Sequence, residues 1–340
     1  MGRQTVALGS PPAVLGCGNV VGRREAEGPL GGFFDTVGRD ALFGEKTWEK
    51  AESAMQRQAL ATALERAGRS AGTVDFVLAG DLLNQCISST FALRGQGIPF
   101  FGLYGACSTM AEGLALAALL IDGGHARCTA AVTSSHFCTA ERQYRTPLEY
   151  GSQRPPTAQW TATAAGAVIV GREGPGPRVT HVTAGRIVDR GVADANNMGA
   201  AMAPAAYDTL RAHFDDTGLR PGDYDLLVTG DLGSLGSEIL RDLFRRDGAA
   251  LPNHADCGLL LYDPARQDVH CGGSGCGCSA AVLTARLIPG LREGRWRRIL
   301  FAATGALLSP VSSQQRESIP AICHAVALCG SEGRDGTWTI

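Results

Sequence analysis

Two halves of the sequence carry the same order of short motifs, and this repeat constrains the fold more than any other feature. Ala79-Gly80-Asp81-Leu82 has a counterpart in Thr229-Gly230-Asp231-Leu232, 150 residues later. Gly105-Ala106-Cys107-Ser108 corresponds to Cys276-Gly277-Cys278-Ser279 at an offset of 171 residues, and the apolar runs 130–133 and 301–304 keep that offset. The alternation of strands and helices in each half predicts a duplicated, layered α/β fold with mostly parallel sheets.

Periodicity and end signals predict the elements of each half. Thr47 caps a helix predicted over 47–67, which ends at Gly68. Short apolar runs predict strands at 74–79, 128–133 and 166–170 in the first half and at 225–229 in the second. A second-half helix is predicted over 207–214 and a linker over 171–177. We therefore expect two domains, residues 1–172 and 173–340, with their cysteine-bearing helices paired at the centre.

Cys107 is the candidate nucleophile. It lies in a glycine-bearing turn directly before an apolar helix predicted over 110–121. Thr109 and Glu112 have the spacing of a capping box, and Gly123-Gly124 is typical of a helix end. The positive field at a helix N-terminus lowers the pKa of a thiol and favours the thiolate. The alternative is that Cys107 is a small buried residue that only fills space.

Composition excludes several classes of function. The chain has 340 residues, enough for a large core, and a net charge of −2, which gives no basis for binding nucleic acid. Eleven cysteines without a signal-peptide pattern indicate reduced thiols in a cytosolic-type compartment. No apolar run approaches the roughly 18 residues that a membrane helix needs. We therefore expect a soluble protein that reaches a membrane only through partners.

Longer motifs occur along nearly the whole chain, at residues 28–30, 79–85, 105–109, 133–136, 140–143, 199–206, 229–232, 254–258, 272–276 and 304–310. In these motifs the chain resembles the thiolase and ketoacyl-synthase superfamily and, more closely, the stage V sporulation protein AD family. The resemblance implies a thiolase-like five-layer αβαβα fold, built from two duplicated halves with mixed, mostly parallel sheets.

The same resemblance implies a role in endospore-forming bacteria. It implies binding of dipicolinic acid, free or as calcium dipicolinate, within the machinery that moves this compound during sporulation and germination. It also implies peripheral association with the forespore or spore inner membrane, through the membrane subunits of the stage V sporulation A complex. A homodimer would form through an edge strand of the first half. No resident cofactor is expected, although calcium would arrive with dipicolinate.

The condensing machinery of the superfamily looks incomplete in this chain. Condensation needs a histidine, and a second histidine, an asparagine or a cysteine, to bind the thioester oxygen and move protons. Asp231 stands at about the position of the expected histidine, and Ser274 near that of the expected asparagine. A carboxylate there repels a developing oxyanion. Cys107 is therefore expected to be a vestigial catalytic residue, and the chain a binding protein.

Two other functions remain as alternatives. One is an active acyltransferase or condensing enzyme with Cys107 as the acyl-carrying nucleophile and coenzyme A as its partner. The other is a structural subunit that retains a relic pocket.

The predicted ligand site combines strand ends with the cysteine turn, and comprises Asp81, Asn84, Cys107, Ser108, Ser135, His136, Asp231 and Ser274. Asp81 would order the pocket or ligate the calcium of the chelate. Its alternative is a turn residue with an Asx-type hydrogen bond. His136 is either a polar group of the pocket or a hydrogen-bonded core histidine.

Two further sets of residues are candidates for acid–base catalysis or metal binding. His254 and His324 could act as displaced acid or base groups, although core histidines are favoured. The cysteines of the glycine-rich run lack a paired Cys-x-x-Cys spacing, and small residues there suit close helix packing, so no metal is expected. They are Cys271, Cys276 and Cys278.

Overall fold

The computed structural model describes residues 2–144 and 153–330. Its strands are β1 (Thr5–Ala7), β2 (Ala13–Val21), β3 (Thr36–Val37), β4 (Phe76–Gly80), β5 (Phe100–Leu103), β6 (Cys128–Ser135), β7 (Trp160–Thr161), β8 (Ala164–Gly171), β9 (Arg178–Thr183), β10 (Leu226–Thr229), β11 (His254–Asp256), β12 (Gly273–Ser274), β13 (Arg298–Ala306) and β14 (Ala321–Cys329). Its helices are α1 (Arg23–Ala26), α2 (Trp48–Arg66), α3 (Ile87–Leu93), α4 (Thr109–Asp122), α5 (Phe137–Tyr144), α6 (Met198–Thr217), α7 (Gly233–Arg246), α8 (Cys257–Leu261), α9 (Cys276–Val282), α10 (Ile288–Arg292) and α11 (Pro310–Gln314). A π-helical segment, Leu283–Leu287, joins α9 to α10.

The main strands follow one another in the order β11-β10-β13-β14-β9-β2-β8-β6-β4-β5, and the short strands β7 and β12 pair separately. The strands of each half form one sheet layer, and the two layers meet where β9 pairs with β2 at Arg178 and Ala13. In the first half β5, β4 and β6 are parallel, and β8 pairs antiparallel with β6 and β2. In the second half β11, β10 and β13 are parallel, and β14 pairs antiparallel with β13 and β9. Strand order and direction are thus the same in both halves, which confirms the predicted duplication. The division into two domains at 172/173 stays a prediction.

Helix α4 forms the middle layer with α9. It packs against β4 and β6 of the first half, against β13 and β14 of the second half, and against α9 itself. Helices α2 and α3 cover the outer face of the first-half strands, and α6 covers the outer face of the second-half strands. The order helix, sheet, helix, sheet, helix confirms the predicted five-layer α/β fold.

Small residues allow the helices to lie close to the strands. A Cβ atom at Gly18 in β2 would lie 2.5 Å from the Ala59 carbonyl oxygen of α2. A Cβ atom at Gly277 in α9 would lie 2.3 Å from the Ala164 carbonyl oxygen of β8. Both contacts are shorter than a side chain tolerates, so each position needs glycine. The close packing predicted for the glycine-rich run before α9 is therefore confirmed.

Helix α2 begins and ends where its local signals predict. The Lys50 backbone N–H donates to Thr47 Oγ1 (3.3 Å), which caps the first turn. Gly68 follows the helix with a φ of 60°, a left-handed conformation that favours glycine. The helix buries one face, which includes Ala51 and Met55, against β2 and β8. The capping chemistry and the buried face therefore agree.

Two predicted helix starts are wrong. Helix α6 begins at Met198, nine residues before the predicted start, because Ala201, Met202 and their small neighbours are buried and this burial outweighs the proline at position 204. Helix α4 forms no capping box: Thr109 is its first residue, and the Thr109 hydroxyl donates to the Ala106 carbonyl oxygen (2.7 Å).

Within the described residues, no helix is both long and apolar enough to cross a membrane.

Candidate ligand-binding site

A cavity of about 390 Å³ lies beside Cys107, where the carboxyl ends of the parallel strands of both halves meet. Its polar walls are Tyr104, Cys107, Glu141, Tyr144, Gln153, Thr161, Asn196, Ser274 and Ser313. Its apolar walls are Leu82, Ala106, Ala140, Ala195, Met198, Ala306 and Leu308. Cavities of this size and mixed lining typically hold small molecules. We call it the Cys107 cavity.

The Cys107 turn is tightly held from both sides. Residues Ala106–Ser108 form one turn of 3₁₀ helix, and Ala106 has a φ of 50°, which is strained for a residue with a Cβ atom. The Ser108 hydroxyl donates to the Gly105 carbonyl oxygen (2.7 Å). A Cβ atom at Gly305 of β13 would lie 2.1 Å from that same oxygen. Strand β13 of the second half therefore packs directly against the turn that carries Cys107.

Asp231 and Ser274 lie next to Cys107, although both come from the second half. Ser274 Oγ lies 3.9 Å from Cys107 Sγ and donates to Asp231 Oδ2 (3.1 Å). The Gly275 backbone N–H donates to the same carboxylate oxygen (3.0 Å), and Thr304 Oγ1 donates to Asp231 Oδ1 (2.9 Å). Asp231 is fully buried behind Ser274. The cavity floor is therefore a hydrogen-bonded cysteine, serine and carboxylate cluster.

The turn that carries Asp231 is held by Asp256, at the end of β11. Asp256 Oδ2 accepts hydrogen bonds from Thr229 Oγ1 (2.7 Å) and from the Leu232 backbone N–H (2.8 Å). Asp256 Oδ1 accepts from the Gly233 and Gly258 N–H groups, both at 3.0 Å. Burial raises the pKa of Asp256 to about 7. This aspartate therefore fixes the position of Asp231 without lining the cavity.

Burial controls the ionisation of both groups on the cavity floor. It raises the pKa of the Cys107 thiol well above its ordinary value, and the charge of Asp231 raises it further. It also raises the pKa of Asp231 to about 6. The predicted lowering of the Cys107 pKa is therefore wrong, because burial and a neighbouring carboxylate outweigh the field of one helix terminus. At neutral pH the thiol is protonated.

Comparison with known proteins shows which family this chain matches. The sequence profile of the family described as stage V sporulation protein AD (SpoVAD) matches residues 2–329. The chain is also 44% identical, over 326 residues, to the stage V sporulation protein AD of Bacillus subtilis (strain 168), and the match covers 96% of each chain.

The chain belongs to the stage V sporulation protein AD family.

Solved structures of condensing enzymes share the fold of this sporulation-family chain. The 3-oxoacyl-[acyl-carrier-protein] synthase III of Aquifex aeolicus VF5 has a TM-score of 0.57 at 16% identity, covering 94% of this chain and 99% of the enzyme. Acetamide-bound OleA of Xanthomonas campestris has a TM-score of 0.61 at 14% identity, covering 95% and 100%. The tetronic acid condensing enzyme AbyA1 has a TM-score of 0.60 at 18% identity, covering 94% and 100%. At these identities the likeness shows a thiolase-like fold and nothing about activity.

Asp81, another predicted site residue, does not line the Cys107 cavity. It is fully buried at the end of β4. Asp81 Oδ1 accepts from the Leu83 backbone N–H (2.9 Å), and Oδ2 accepts from the Ser89 backbone N–H (2.8 Å) and hydroxyl (2.6 Å). The bond to Leu83 is an Asx-type hydrogen bond, as in the alternative interpretation of Asp81 as a turn residue. Burial raises the pKa of Asp81, and its charge adds to burial in raising the pKa of Glu52 to about 8.

Asn84, Ser108, Ser135 and His136 also lie outside the lining of the Cys107 cavity. Asn84 borders a shallow pocket on the other side of its loop, and its backbone N–H donates to Gln143 Oε1 (3.0 Å). Ser108 and Ser135 are buried, and the Ser135 hydroxyl donates to the Ala162 carbonyl oxygen (2.6 Å). Their contact with a ligand stays a prediction, which this placement does not favour.

The three candidate histidines have hydrogen-bond partners; His136 is buried, whereas His254 and His324 are half-buried. His136 Nε2 lies 2.7 Å from the Ala41 carbonyl oxygen, and its Nδ1 accepts from the Cys138 N–H (3.1 Å). His254 Nε2 lies 2.9 Å from Thr229 Oγ1. His324 Nδ1 accepts from the Gly185 N–H (3.3 Å). Burial lowers the pKa of all three, to about 4 for His254 and His324.

Among the residues that the structure describes, no cluster of three histidine, cysteine or acidic side chains is placed to hold a metal ion. The Cys276 thiol instead donates to the Ser134 carbonyl oxygen (2.9 Å), and the Cys271 thiol donates to the Pro156 carbonyl oxygen (3.3 Å).

Sequence reasoning missed most of the cavity wall. Tyr104 and Tyr144 face the cavity with their hydroxyls 2.9 Å apart, and the Tyr144 hydroxyl donates to the Leu82 carbonyl oxygen. Glu141 and Asn196 reach the cavity from segments far apart in the chain. Tyr104 lies three positions before Cys107, which was an available signal. The others carry no local signal, because only the tertiary fold brings them together.

Proposed function

We propose that this chain binds dipicolinic acid, chiefly as calcium dipicolinate, in the Cys107 cavity. It would act as the dipicolinate-binding subunit of the spore transport machinery in sporulation and germination. Membership of the sporulation family supports the biological setting. The observation that carries the proposal is a small, polar cavity, with no cationic side chain among its described lining residues, beside a cysteine that burial keeps protonated.

The cavity offers the contacts that this ligand needs. Dipicolinic acid is a planar pyridine ring with two carboxylates. A volume of about 390 Å³ falls within the roughly 300–1,000 Å³ of small-molecule sites. Tyr104 and Tyr144 supply aromatic surface, and Thr161 and Asn196 supply a hydroxyl and an amide group. These groups can accommodate both the ring and its carboxylates.

Charge favours the calcium chelate over the free dianion. The described lining residues include no lysine, arginine or histidine, whereas Glu141 lines the cavity and Asp231 lies behind Ser274. The Asp231 carboxylate, with no cationic side chain among the described lining residues, opposes a bare dianion. Calcium dipicolinate is neutral, and calcium prefers oxygen ligands such as carboxylate and amide groups. Binding should therefore depend on calcium.

The same geometry argues against acyl transfer. A cysteine nucleophile reacts as the thiolate, and condensation needs donors aimed at a developing oxyanion. Burial and Asp231 keep the Cys107 thiol protonated, and the carboxylate beside it repels negative charge. We expect no acetyl adduct on Cys107 after exposure to acetyl-coenzyme A, as read by intact and peptide mass spectrometry. A stable adduct would support the enzyme instead.

Calorimetric titration with dipicolinate, with and without calcium, tests the proposal. Ala195 lies on the cavity wall in an irregular segment before α6 and is only partly buried, so Ala195→Trp should fill part of the cavity. Ala193→Trp is the matched control, because this exposed residue of the same segment does not line the cavity. We expect saturable, calcium-dependent binding that Ala195→Trp weakens at least tenfold and Ala193→Trp leaves unchanged. Equal binding by both variants, or none by the wild type, would overturn the proposal.

We also propose a homodimer formed through β5. This strand lies at one end of the sheet, and among the described strands it pairs only with β4. Exposed aromatic side chains surround it: Phe91, Phe100, Phe101 and Tyr104 are each 39–49% exposed. An open, apolar sheet edge is an unfavourable surface for a monomer. Tyr104 also lines the Cys107 cavity, so a dimer would bring a second copy close to the ligand.

Peripheral association with the forespore or spore inner membrane is the last part of the proposal. Family membership supports contact with the membrane subunits of the stage V sporulation A complex. The expected result is sedimentation of the chain with spore inner membranes that contain those subunits. Equal sedimentation with membranes lacking them would contradict attachment through these partners.

A further inference from the structure

A second cavity, of about 710 Å³, lies at the opposite end of α4 from Cys107. Cys107 directly precedes the first turn of this helix, whereas Ile121 and the three residues that follow line the second cavity. Fourteen helical residues span about 21 Å. The second cavity is therefore separate from the proposed dipicolinate site.

Three arginine side chains give this cavity its character: Arg172, Arg178 and Arg298. We call it the arginine cavity. The half-buried Arg178 guanidinium donates to the carbonyl oxygens of Pro11 (3.2 Å) and Gly174 (3.2 Å). Carbonyl groups orient the side chain but carry no formal charge. Within the part of the chain that the structure describes, the positive charge of Arg178 is held at the cavity by carbonyl groups and not by a carboxylate.

Two carboxylates line the cavity, but neither forms an ion pair with Arg172 or Arg178 in the described residues. Asp122 lines it, but Asp122 Oδ1 accepts from the Ser10 backbone N–H (2.6 Å) and Oδ2 from the Gly9 N–H (3.2 Å). Glu173 lines it as an exposed residue. Among residues 2–144 and 153–330, neither Arg172 nor Arg178 forms an ion pair.

Backbone hydrogen bonds cap the end of α4 at this cavity. The Gly123 backbone N–H donates to the Leu119 carbonyl oxygen (2.9 Å), and the Gly124 N–H donates to that of Ile121 (3.0 Å). These bonds satisfy carbonyl groups that would otherwise face an incoming anion. His181 also lines the cavity. The described lining side chains include three arginines against two carboxylates, so cationic groups are in excess.

Part of the wall is apolar. Leu8 and Pro11 line the cavity from the N-terminal segment, and Ile121 lines it from α4. A bare inorganic anion would leave this surface without a partner. An anion attached to an apolar body would cover it and gain the free energy of burial.

We propose that the arginine cavity binds an organic anion, whose carboxylate or phosphate group meets Arg172, Arg178 and Arg298 while its apolar body covers Leu8 and Ile121. Guanidinium groups recognise both kinds of oxyanion by paired, charge-assisted hydrogen bonds. An aromatic dicarboxylate and an acidic phospholipid share this chemistry. The site is independent of the Cys107 cavity, so it stands or falls separately from the proposed function.

Calorimetric titration with three probes tests this inference and separates the two sources. The probes are dipicolinate without calcium, dihexanoylphosphatidylglycerol below its micellar concentration, and inorganic phosphate. Ala195→Trp serves as the background, because it narrows the Cys107 cavity. We expect saturable binding of at least one organic probe, at least tenfold tighter than phosphate, and a change in the NMR signals of the His181 ring. Which organic probe binds identifies the source.

Arginine variants locate the site. Arg172→Gln alters an exposed side chain, and Arg178→Gln removes the held charge; each should weaken binding of the organic probe at least fivefold. Arg297→Gln is the matched control, because this exposed arginine adjoins Arg298 without lining the cavity. If Arg178→Gln fails to fold, Arg172→Gln still decides. Absence of saturable binding, equal affinity for phosphate, or equal affinity in Arg172→Gln and Arg297→Gln would overturn the inference.

Discussion

Replacing Asp231 by asparagine should change how stability depends on pH. The carboxylate is fully buried and accepts three hydrogen bonds, from Ser274, Gly275 and Thr304. Burial raises its pKa from an ordinary 3.8 to about 6 in the folded chain. The unfolded chain therefore releases this proton first. The contribution of Asp231 to stability is full below pH 3.8 and is lost as pH rises through about 6.

The size of the effect follows from that shift. At pH 5 the unfolded carboxyl is already ionised and the folded one is mostly protonated, whereas at pH 8 both are ionised. One pKa unit corresponds to about 1.4 kcal/mol, and the folded-state pKa lies one unit above pH 5. The wild type should therefore lose on the order of 1 kcal/mol of unfolding free energy between pH 5 and pH 8 through this group. Asp231→Asn has no proton to release and should not show this loss.

Urea denaturation followed by circular dichroism at pH 5, 6.5 and 8 measures the difference. Relative to the wild type, Asp231→Asn should gain on the order of 1 kcal/mol from pH 5 to pH 8, whatever its offset at pH 5 from altered hydrogen bonds. Ser274→Ala is the control, because it removes a donor but keeps the carboxylate. Loss of that donor raises the pKa of Asp231 further, so this variant should lose at least as much stability from pH 5 to pH 8 as the wild type. Parallel profiles for the wild type and Asp231→Asn would refute the reasoning.

Three further predictions follow from the packing, the sheet edge and the buried thiol. Gly305→Ala places a Cβ atom 2.1 Å from the Gly105 carbonyl oxygen and should cost roughly 1–3 kcal/mol in urea denaturation, whereas Gly222→Ala, which meets no atom within 4 Å, should change stability little. Phe101→Glu puts a charge on the exposed β5 edge and should convert a dimer to a monomer in light scattering; an unchanged mass would contradict the proposed interface. Because burial keeps Cys107 protonated, iodoacetamide should label it at neutral pH at least tenfold more slowly than free cysteine, and fast labelling in peptide mass spectrometry would contradict that state.

The sequence predicted the elements with local signals well. The cap at Thr47 and the stop at Gly68 bracket α2, because capping and left-handed turns depend on a few neighbouring residues. The repeat at Asp81 and Asp231 indicated the duplication, since the same order of motifs in both halves reflects the same order of strands. The sequence placed the start of α6 nine residues too late, because the burial of small residues in its first turns is a tertiary effect.

The site was only partly predictable. The superfamily pattern put Asp231 and Ser274 near Cys107, and the structure has them there. The same motif repeat gives Asp81 and Asp231 equivalent positions. Asp81 nevertheless accepts a hydrogen bond from Ser89, eight residues away, whereas Asp231 accepts one from Thr304, 73 residues away, beneath the cavity. Motif similarity cannot distinguish these surroundings, because they depend on which segments meet.

The sequence by itself determined the duplicated α/β order, the apolar helix behind Cys107 and the family to which the chain belongs. Only the tertiary structure decided the protonation of Cys107, because burial is a sum over residues from both halves. It also decided which side chains line each cavity, and so placed Tyr144 near Cys107 and Arg178 at the far end of α4. Local interactions select elements, whereas the electrostatics of a site depend on contacts made across the whole fold.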